Sequence, residues 1–488
     1  MTRLTNKGGL AAAFIGILLL PQAALHAADT REISRTVIPA KKDDLSWMRG
    51  ANYVPSYAKN DVQIWMEYDA ALIDRELGYA ERLKLNTVRV FLQVAVYEKQ
   101  PEKFMADFES LVALCDKHKI KMMPVLFDSC FDPQVVDVNN YRGKNWIPSP
   151  GFGRLGNDDW PAMEKYIKAI VGKYKDDRRI VLWDVMNEPE STCEFGKPEG
   201  KAKIVAFVRR AIARVREEKP VQPLGIGWAY SRNITLSADI SDVLILHTYT
   251  NPQGLAEAIK QTKEMGMSLN KPVIMNEFVG RPKQRIEEAM PVVAKENIGW
   301  CFWELMIGSS QFSQGRTPYQ GHIYPDGTCY SVKEVAAILQ PAGYSESPEE
   351  VAAKAGFKLS DKMANSLTEE GITFSPLWKR WNGNAPSGNR LWYANVAGET
   401  AAREVEGVSV VLVMKHGPDC GIATVTIDGK PAGKGEIDAY SAEVDWNRRT
   451  VLAENLGPGR HKVVITVTGR KAAASSNSYV QLVDVTGK

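Results

Sequence analysis

From Trp47 to Leu339 the chain alternates two hydrophobic patterns. One is a short apolar run cut off by turn residues. The other is a longer stretch whose apolar residues return every three or four positions. The short runs predict strands at Trp47–Val54, Thr87–Leu92, Lys121–Phe127, Ile180–Val185, Val221–Trp228, Val243–His247, Pro272–Met275 and Gly299–Trp303. The longer stretches predict helices at Ala70–Leu83, Pro101–His118, Trp160–Tyr174, Lys201–Lys219, Gly254–Met265, Arg285–Glu296 and Ser331–Leu339. In Ala70–Leu83, for example, Leu72, Ile73, Leu77, Ala80 and Leu83 share one face. Apolar strands that alternate with helices are paired in parallel and covered on both sides. Eight such units over about 290 residues predict an α/β fold, a closed (β/α)8 TIM barrel.

Past Pro341 the pattern changes. Residues 343–370 are polar with some helical content and read as a linker. From 371 to 488 short β runs are split by turns such as Asp428-Gly429 and Gly457-Pro458-Gly459. Val408–Met414, Ile422–Ile427, His461–Thr468 and Tyr479–Val485 carry the strand pattern. They predict a small all-β, jelly-roll-like sandwich as an accessory module. At the other end Arg3 and Lys7 precede the apolar run Leu10–Leu20, and small residues follow up to Ala28. Residues 1–28 therefore read as a cleaved signal peptide, too short in its apolar part to span a bilayer. That leaves 29–342 for the barrel, in a secreted or periplasmic protein with no membrane insertion of the mature form.

Composition changes this picture little. The chain has 488 residues, 44% of them hydrophobic and 24% charged, with a formal charge of +3. No basic excess asks for a nucleic-acid partner. Neither a Gly-x-Gly-x-x-Gly nor a phosphate loop appears, which argues against a nucleotide fold. The six cysteines show no metal-binding spacing, so no metal and no cofactor is expected. Cys130 and Cys193 fall in loops above neighbouring strands, where a disulfide bridge could form.

The candidate chemistry lies at the carboxyl ends of the strands, where barrel enzymes place it. Arg89 ends the second strand, Asp128 the third, Asn187 and Glu188 the fourth and Trp228 the fifth. His247 and Tyr249 follow the sixth, Glu277 the seventh and Trp303 the eighth. Two glutamates on one rim, with a cation between them, are the parts needed to hydrolyse an acetal. One carboxyl must protonate the leaving oxygen while the other stays ionised. Arg89 would favour an ionised Glu277, leaving Glu188 protonated. Tyr249 can hydrogen-bond the nucleophile, Asn187 a sugar hydroxyl, and Trp303 offers a flat face to a pyranose. Tyr141, Trp146 and Trp160, near the long loop 128–159, either wall the sugar site or pack locally.

The set Arg89, Asn187-Glu188-Pro189, His247-x-Tyr249, Glu277 and Trp303 resembles the retaining glycoside hydrolases of clan A. It is most similar to glycoside hydrolase family 5, the cellulase and mannanase family. Arg49-Gly-Ala-Asn-Tyr-Val54 resembles the first-strand motif of that clan. The resemblance implies Glu188 as acid/base, Glu277 as nucleophile, and a β-linked glycan as substrate, cleaved with retention and without a cofactor. Asp128-Ser129-Cys130 departs from the family, many of whose members carry a histidine after strand three. The C-terminal part resembles, more weakly, the galactose-binding-like modules of secreted glycosidases. A non-catalytic carbohydrate-binding protein on the same scaffold and a transglycosidase are the alternatives.

Overall fold

Eight parallel strands close on themselves in chain order, each hydrogen-bonded to the next and the last to the first. They are β1 (Arg49–Asn52), β2 (Thr87–Phe91), β3 (Lys121–Asp128), β4 (Trp183–Asn187), β5 (Leu224–Trp228), β6 (Leu244–His247), β7 (Val273–Glu277) and β8 (Gly299–Phe302). The computed structural model describes residues 44–131, 136–281, 284–313, 318–360, 367–369, 371–381 and 391–488. The proposed leader, 1–28, lies outside them. The expected barrel is present, with every predicted strand and helix found to within a few residues.

The helices α1 (Asp61–Met66), α2 (Ala70–Arg82), α3 (Val94–Lys99), α4 (Pro101–Lys117), α5 (Trp160–Tyr174), α6 (Pro198–Glu217), α7 (Pro252–Leu269), α8 (Ile286–Glu296) and α9 (Val332–Leu339) surround it. Their ends are written in the sequence. Asp69 accepts from Leu72 N to cap α2, and Asn251 caps α7 ahead of Pro252. Asn270, in the left-handed conformation, closes α7. Two helices were not expected. α1 and α3 are six residues each, too short to show a period. No helix among the described residues is long and apolar enough to cross a membrane.

Two apolar masses hold the barrel. One fills the space between strands and helices and includes Phe104, Phe108, Tyr166, Ile204 and Val293. The other fills the lower interior with Met123, Leu182, Val243, Ile245, Ile274 and Cys301, and Leu45 and Met48 join it. Above this plug the interior turns polar: Asn52, Arg89, Asp184 and Asn276 are all fully buried. Such groups survive burial only when they bond one another.

The fourth strand differs from its expected span. Ile180 makes only a single bridge to Met122, and the ladder proper runs from Trp183 to Asn187. The apolar run was a true signal of burial, but pairing to β5 starts at Trp183–Leu224. Asn187 is therefore strand, and Glu188 is the first residue past it.

After α10 (Pro348–Lys354), fixed by a Ser347–Glu350 capping box, the chain enters two antiparallel sheets. Their strands are β9 (Leu367–Glu369), β10 (Ile372–Phe374), β11 (Lys379–Arg380), β12 (Trp392–Ala394), β13 (Thr400–Glu406), β14 (Val410–His416), β15 (Ile422–Ile427), β16 (Lys430–Asp438), β17 (Asp445–Ala453), β18 (Arg460–Val467) and β19 (Val480–Gly487). The orders are β16-β15-β18-β13-β10-β9 and β11-β12-β19-β14-β17. Residues such as Phe374, Trp392, Leu412, Val425, Ile465 and Leu482 fill the space between them. The first sheet already includes β9, inside the stretch read as linker. β16 and β17 were not foreseen because each has a single buried residue, so no apolar alternation marks them.

Candidate active site

The polar interior of the barrel is built on Arg89. Its side chain is fully buried, and its fork reaches four partners. Nε donates to Asp184 Oδ2 at 2.9 Å, and Nη2 to Asn187 Oδ1 at 2.6 Å. Nη1 donates to Asn52 Oδ1 at 2.8 Å and to Glu277 Oε1 at 2.6 Å. Asp184 is held in turn by Asn276 Nδ2 at 2.9 Å and Gly227 N at 3.2 Å. A planar guanidinium suits this role because its donors are fixed in direction. Glu277 is thereby aimed at the axis of the barrel, and Tyr249 Oη donates to its other oxygen at 3.0 Å.

Glu188 faces it. His247 Nδ1 lies 3.0 Å from Glu188 Oε1 and 3.5 Å from Glu277 Oε2. Ser191 Oγ donates to Glu188 Oε2 at 2.8 Å, and the Cys130 thiol approaches the same oxygen at 3.5 Å. One oxygen of each glutamate and a ring nitrogen of His247 all lie within 4.8 Å of one another. Glu188 has φ +37°, Phe131 +60° and Val279 +84°. Left-handed backbone at non-glycine residues is strained, and these three follow the carboxyl ends of β4, β3 and β7.

The three central groups titrate together. Burial pushes the Glu188 carboxyl up, but His247, Ser191 and Cys130 outweigh it, and its pKa lies below the ordinary glutamate value. Glu277 lies above that value. Its burial and the charge of Glu188 raise it, against the pull of His247 and Arg89. Burial disfavours the His247 cation, yet Glu277 and Glu188 together raise its pKa. Tyr249 is held neutral, by burial first and Glu277 second, so it serves as a donor. The expected order of the two glutamates is thus reversed in the structure. Arg89 was weighed from the sequence, but the pairing of His247 with Glu188 was not.

Above these groups is a cleft of about 250 Å³ whose floor is Asn187, Glu188, Tyr249 and Glu277. Phe91, Trp146, Trp303 and Phe312 wall it. Residues 77–309 match the family model Cellulase (glycosyl hydrolase family 5). That match runs from α2 to just past β8 and takes in Arg89, Glu188, His247 and Glu277.

Solved structures similar to this chain include the exo-β-1,4-mannosidase Op5Man5 from Opitutaceae bacterium strain TAV5. It shares 16% identity over 60% of this chain and 58% of its own, at a TM-score of 0.47. The hyperthermostable endo-1,4-β-D-mannanase of Thermotoga petrophila RKU-1 shares 15% identity over 60% of this chain and 99% of its own, at 0.44. GH5_18 from Streptomyces cattleya, in complex with GlcNAc, shares 14% over 60% and 78%, at 0.47. The chain spans less than two thirds of the first of these. No curated protein matches the chain.

In the barrel, Arg89, Asn187, Glu188, His247, Tyr249, Glu277 and Trp303 gather at one site. Two other candidates stand apart from the cleft. Trp228 is fully buried, donates Nε1 to Ser237 Oγ at 2.9 Å and packs near Phe195. It sits under the 3₁₀ turn Ser231–Leu236, so the expected substrate contact is corrected to a packing role. Asp128 is buried and supports the site indirectly. It accepts from Trp146 Nε1 at 2.7 Å, Cys130 N at 2.9 Å and Asn187 Nδ2 at 3.3 Å.

No bridge joins Cys130 to Cys193. Burial and the neighbouring Asp128 and Glu188 carboxylates hold the Cys130 thiol well above its ordinary pKa, so it stays neutral beside Glu188. Of the three aromatic residues near the long loop, Trp146 lines the cleft. Trp160 packs under Arg210 and against Phe207, and Tyr141 donates to Glu67. Glu188, His247 and Glu277 could also ligate a divalent cation. Arg89, 2.6 Å from Glu277, already supplies a fixed positive charge there.

Sequence reasoning missed Asp184, Asn276 and Ser191. A lone acid inside the apolar run Ile180–Val185, and an amide directly before Glu277, were the available signals.

Proposed function

We propose that this protein is a secreted retaining β-glycosidase that hydrolyses β-linked oligosaccharide or polysaccharide by double displacement. Glu277 is the nucleophile and Glu188 the acid/base. The observation that carries this reading is the approach of the two glutamates to within 4.8 Å across one histidine. Retaining pairs stand roughly 5–5.5 Å apart, whereas inverting pairs need about 6.5–9.5 Å to admit water.

Glu277 and Glu188 both favour a proton on His247, which bridges them. Substrate entering the cleft excludes water, and the proton moves along the 3.0 Å contact from Nδ1 to Glu188 Oε1. Glu277 stays ionised, with Arg89 and Tyr249 on its two oxygens. Its carboxylate attacks the anomeric carbon, and the glycosidic C–O bond breaks. The electron pair leaves on the aglycone oxygen, which takes the proton of Glu188. Glu188, now a carboxylate, removes a proton from water as that water attacks the same carbon, and Glu277 departs. Trp303 lies under the sugar ring. The leader 1–28 directs the chain out of the cytoplasm.

Glu277→Gln and Glu188→Gln are each expected to lose about 4 kcal/mol or more of transition-state stabilisation, roughly a thousandfold in kcat. A dinitrophenyl leaving group needs no protonation, so it should restore glycosyl-enzyme formation in E188Q and not in E277Q. A 2-deoxy-2-fluoro glycoside should leave its adduct on the peptide containing Glu277. Full turnover by E277Q, or labelling at another residue, would sink the assignment.

A further inference from the structure

One side of the cleft is shut. The long loop after β3 is tied to three other strand-end loops. Asn60 Nδ2, after β1, donates to Tyr141 O and Lys144 O, both at 3.0 Å. Gln93 Nε2, after β2, donates to Pro148 O at 3.2 Å, and Val94 N donates to Ser149 Oγ at 2.8 Å. After β8, Gln311 Oε1 accepts from Trp146 N at 3.2 Å. The loop therefore crosses the sector of the rim over β8, β1 and β2. At the crossing Trp146 stands edge-on to Phe91 at 4.9 Å and to Trp303 at 5.9 Å, and Phe91 meets Trp303 at 5.6 Å. All three rings are buried, and Asp128 locks the Trp146 indole from behind.

This sector lies across the rim from β4, which carries Glu188. The leaving group must face the proton of Glu188, so the aglycone runs toward β4 and its neighbours. The glycone lies over Glu277 and Arg89, and any further sugar on that end would have to pass through the three rings. On the aglycone side, by contrast, Tyr230, just after β5, is exposed. A cleft of about 250 Å³ is below the roughly 300–1,000 Å³ of sites that bury larger ligands.

Resting on the glycosidase reading above, we propose that the enzyme acts from the non-reducing end and releases one sugar at a time. Trp146 is the residue that sets this mode. Its indole ends the glycone subsite, and the substrates are the chain ends of β-linked oligosaccharides rather than the interior of a polymer.

The test starts with 4-nitrophenyl β-D-gluco-, manno-, galacto- and xylopyranosides, to find the accepted sugar. A β-1,4-linked hexasaccharide of that sugar, labelled at its reducing end, is then followed by mass spectrometry at low conversion. The expected first products are the free monosaccharide and the labelled pentasaccharide. Turnover of an aryl glycoside with labelled fragments of every length appearing together would overturn this inference and leave the glycosidase reading standing. No turnover of any of the four would overturn both. In Trp146→Ala, shorter labelled fragments are expected to rise at least several-fold. Gln311→Ala, which removes only the bond to the Trp146 backbone, should shift the products the same way. An unchanged product pattern in both variants, each with wild-type circular dichroism, would show that the loop does not set the mode.

Discussion

At the scale of single residues, the site spends its positive charge unevenly, and one acid is left without any. Glu304 follows Trp303, is fully buried, and among the described residues has only Ser310 and Ser313 to stabilise its charge. Ser310 Oγ donates to Oε1 at 2.7 Å, while Oε2 has no partner among the described residues. Burial pushes its pKa up to about 7. The folded value is above the unfolded one of roughly 4.3, so the folded state binds the extra proton between them. The contribution of Glu304 to stability is fully present below that lower value and is lost as pH rises to about 7. Glu304→Gln should therefore be more stable than wild type at pH 8, by about 1–3 kcal/mol, and close to it at pH 4. Melting temperatures across that range check this; parallel curves for the two proteins would refute it. Glu334 shows the opposite case. Burial raises it, but Arg281 and His322 prevail and hold it at about 2.

At the scale of elements, the site depends on two neighbouring strands being shaped for each other. β5 carries glycine at 225 and 227, two residues apart and so on one face. A Cβ at Gly227 would stand 2.6 Å from His247 Nε2 and 3.2 Å from Asp184 Oδ2. A Cβ at Gly225 would meet Ile245 at 2.5 Å. The bare strand is what lets the His247 ring lie between the two glutamates. Gly227→Ala should displace that ring and lower kcat at least tenfold, with a stability loss of about 1–3 kcal/mol. Steady-state kinetics beside urea unfolding separates this from simple unfolding, since a collapse of stability with unchanged specific activity would contradict it. The same pair of strands shows what the sequence could and could not say. Strand-end positions, hence Arg89, Glu188, His247, Tyr249 and Glu277, were legible because a barrel sends all carboxyl ends to one rim. Which acid His247 would touch was not, because side chains from β4, β6 and β7 meet only across the closed interior. Trp228 misled for a related reason: a strand-end tryptophan reads alike whether it faces the cleft or the 3₁₀ turn that follows.

At the scale of the whole molecule, barrel and sandwich fall in one compact unit. Their contact is specific. Leu377, just before β11, packs on Ile307, Tyr324 and Tyr330 of the barrel side. Tyr330 in turn lies under the Arg281 guanidinium, 3.9 Å from ring centre to carbon. The Arg281 side chain donates to Pro318 O and Gly321 O, and its backbone N–H donates to Tyr319 O at 2.8 Å. Tyr319 and Gln320 line the cleft. The sandwich therefore backs the segment that forms one wall of the site, and bracing the barrel is a sufficient physical reason for it to be there. An aspartate placed in this contact would give up the apolar packing of Leu377 and bring a second carboxylate beside Glu399, which accepts from Leu377 N at 2.8 Å. Leu377→Asp is expected to part the two bodies without touching Glu188, His247 or Glu277. A single calorimetric transition should become two, with the barrel transition at the lower temperature. The KM for an aryl glycoside should rise as the Tyr319 wall loosens, while kcat holds because Glu188, His247 and Glu277 are fixed from within the barrel. One unshifted transition in the variant would mean that the sandwich carries no part of the barrel's stability, and a fall in kcat with KM unchanged would mean that its influence reaches the carboxylates themselves.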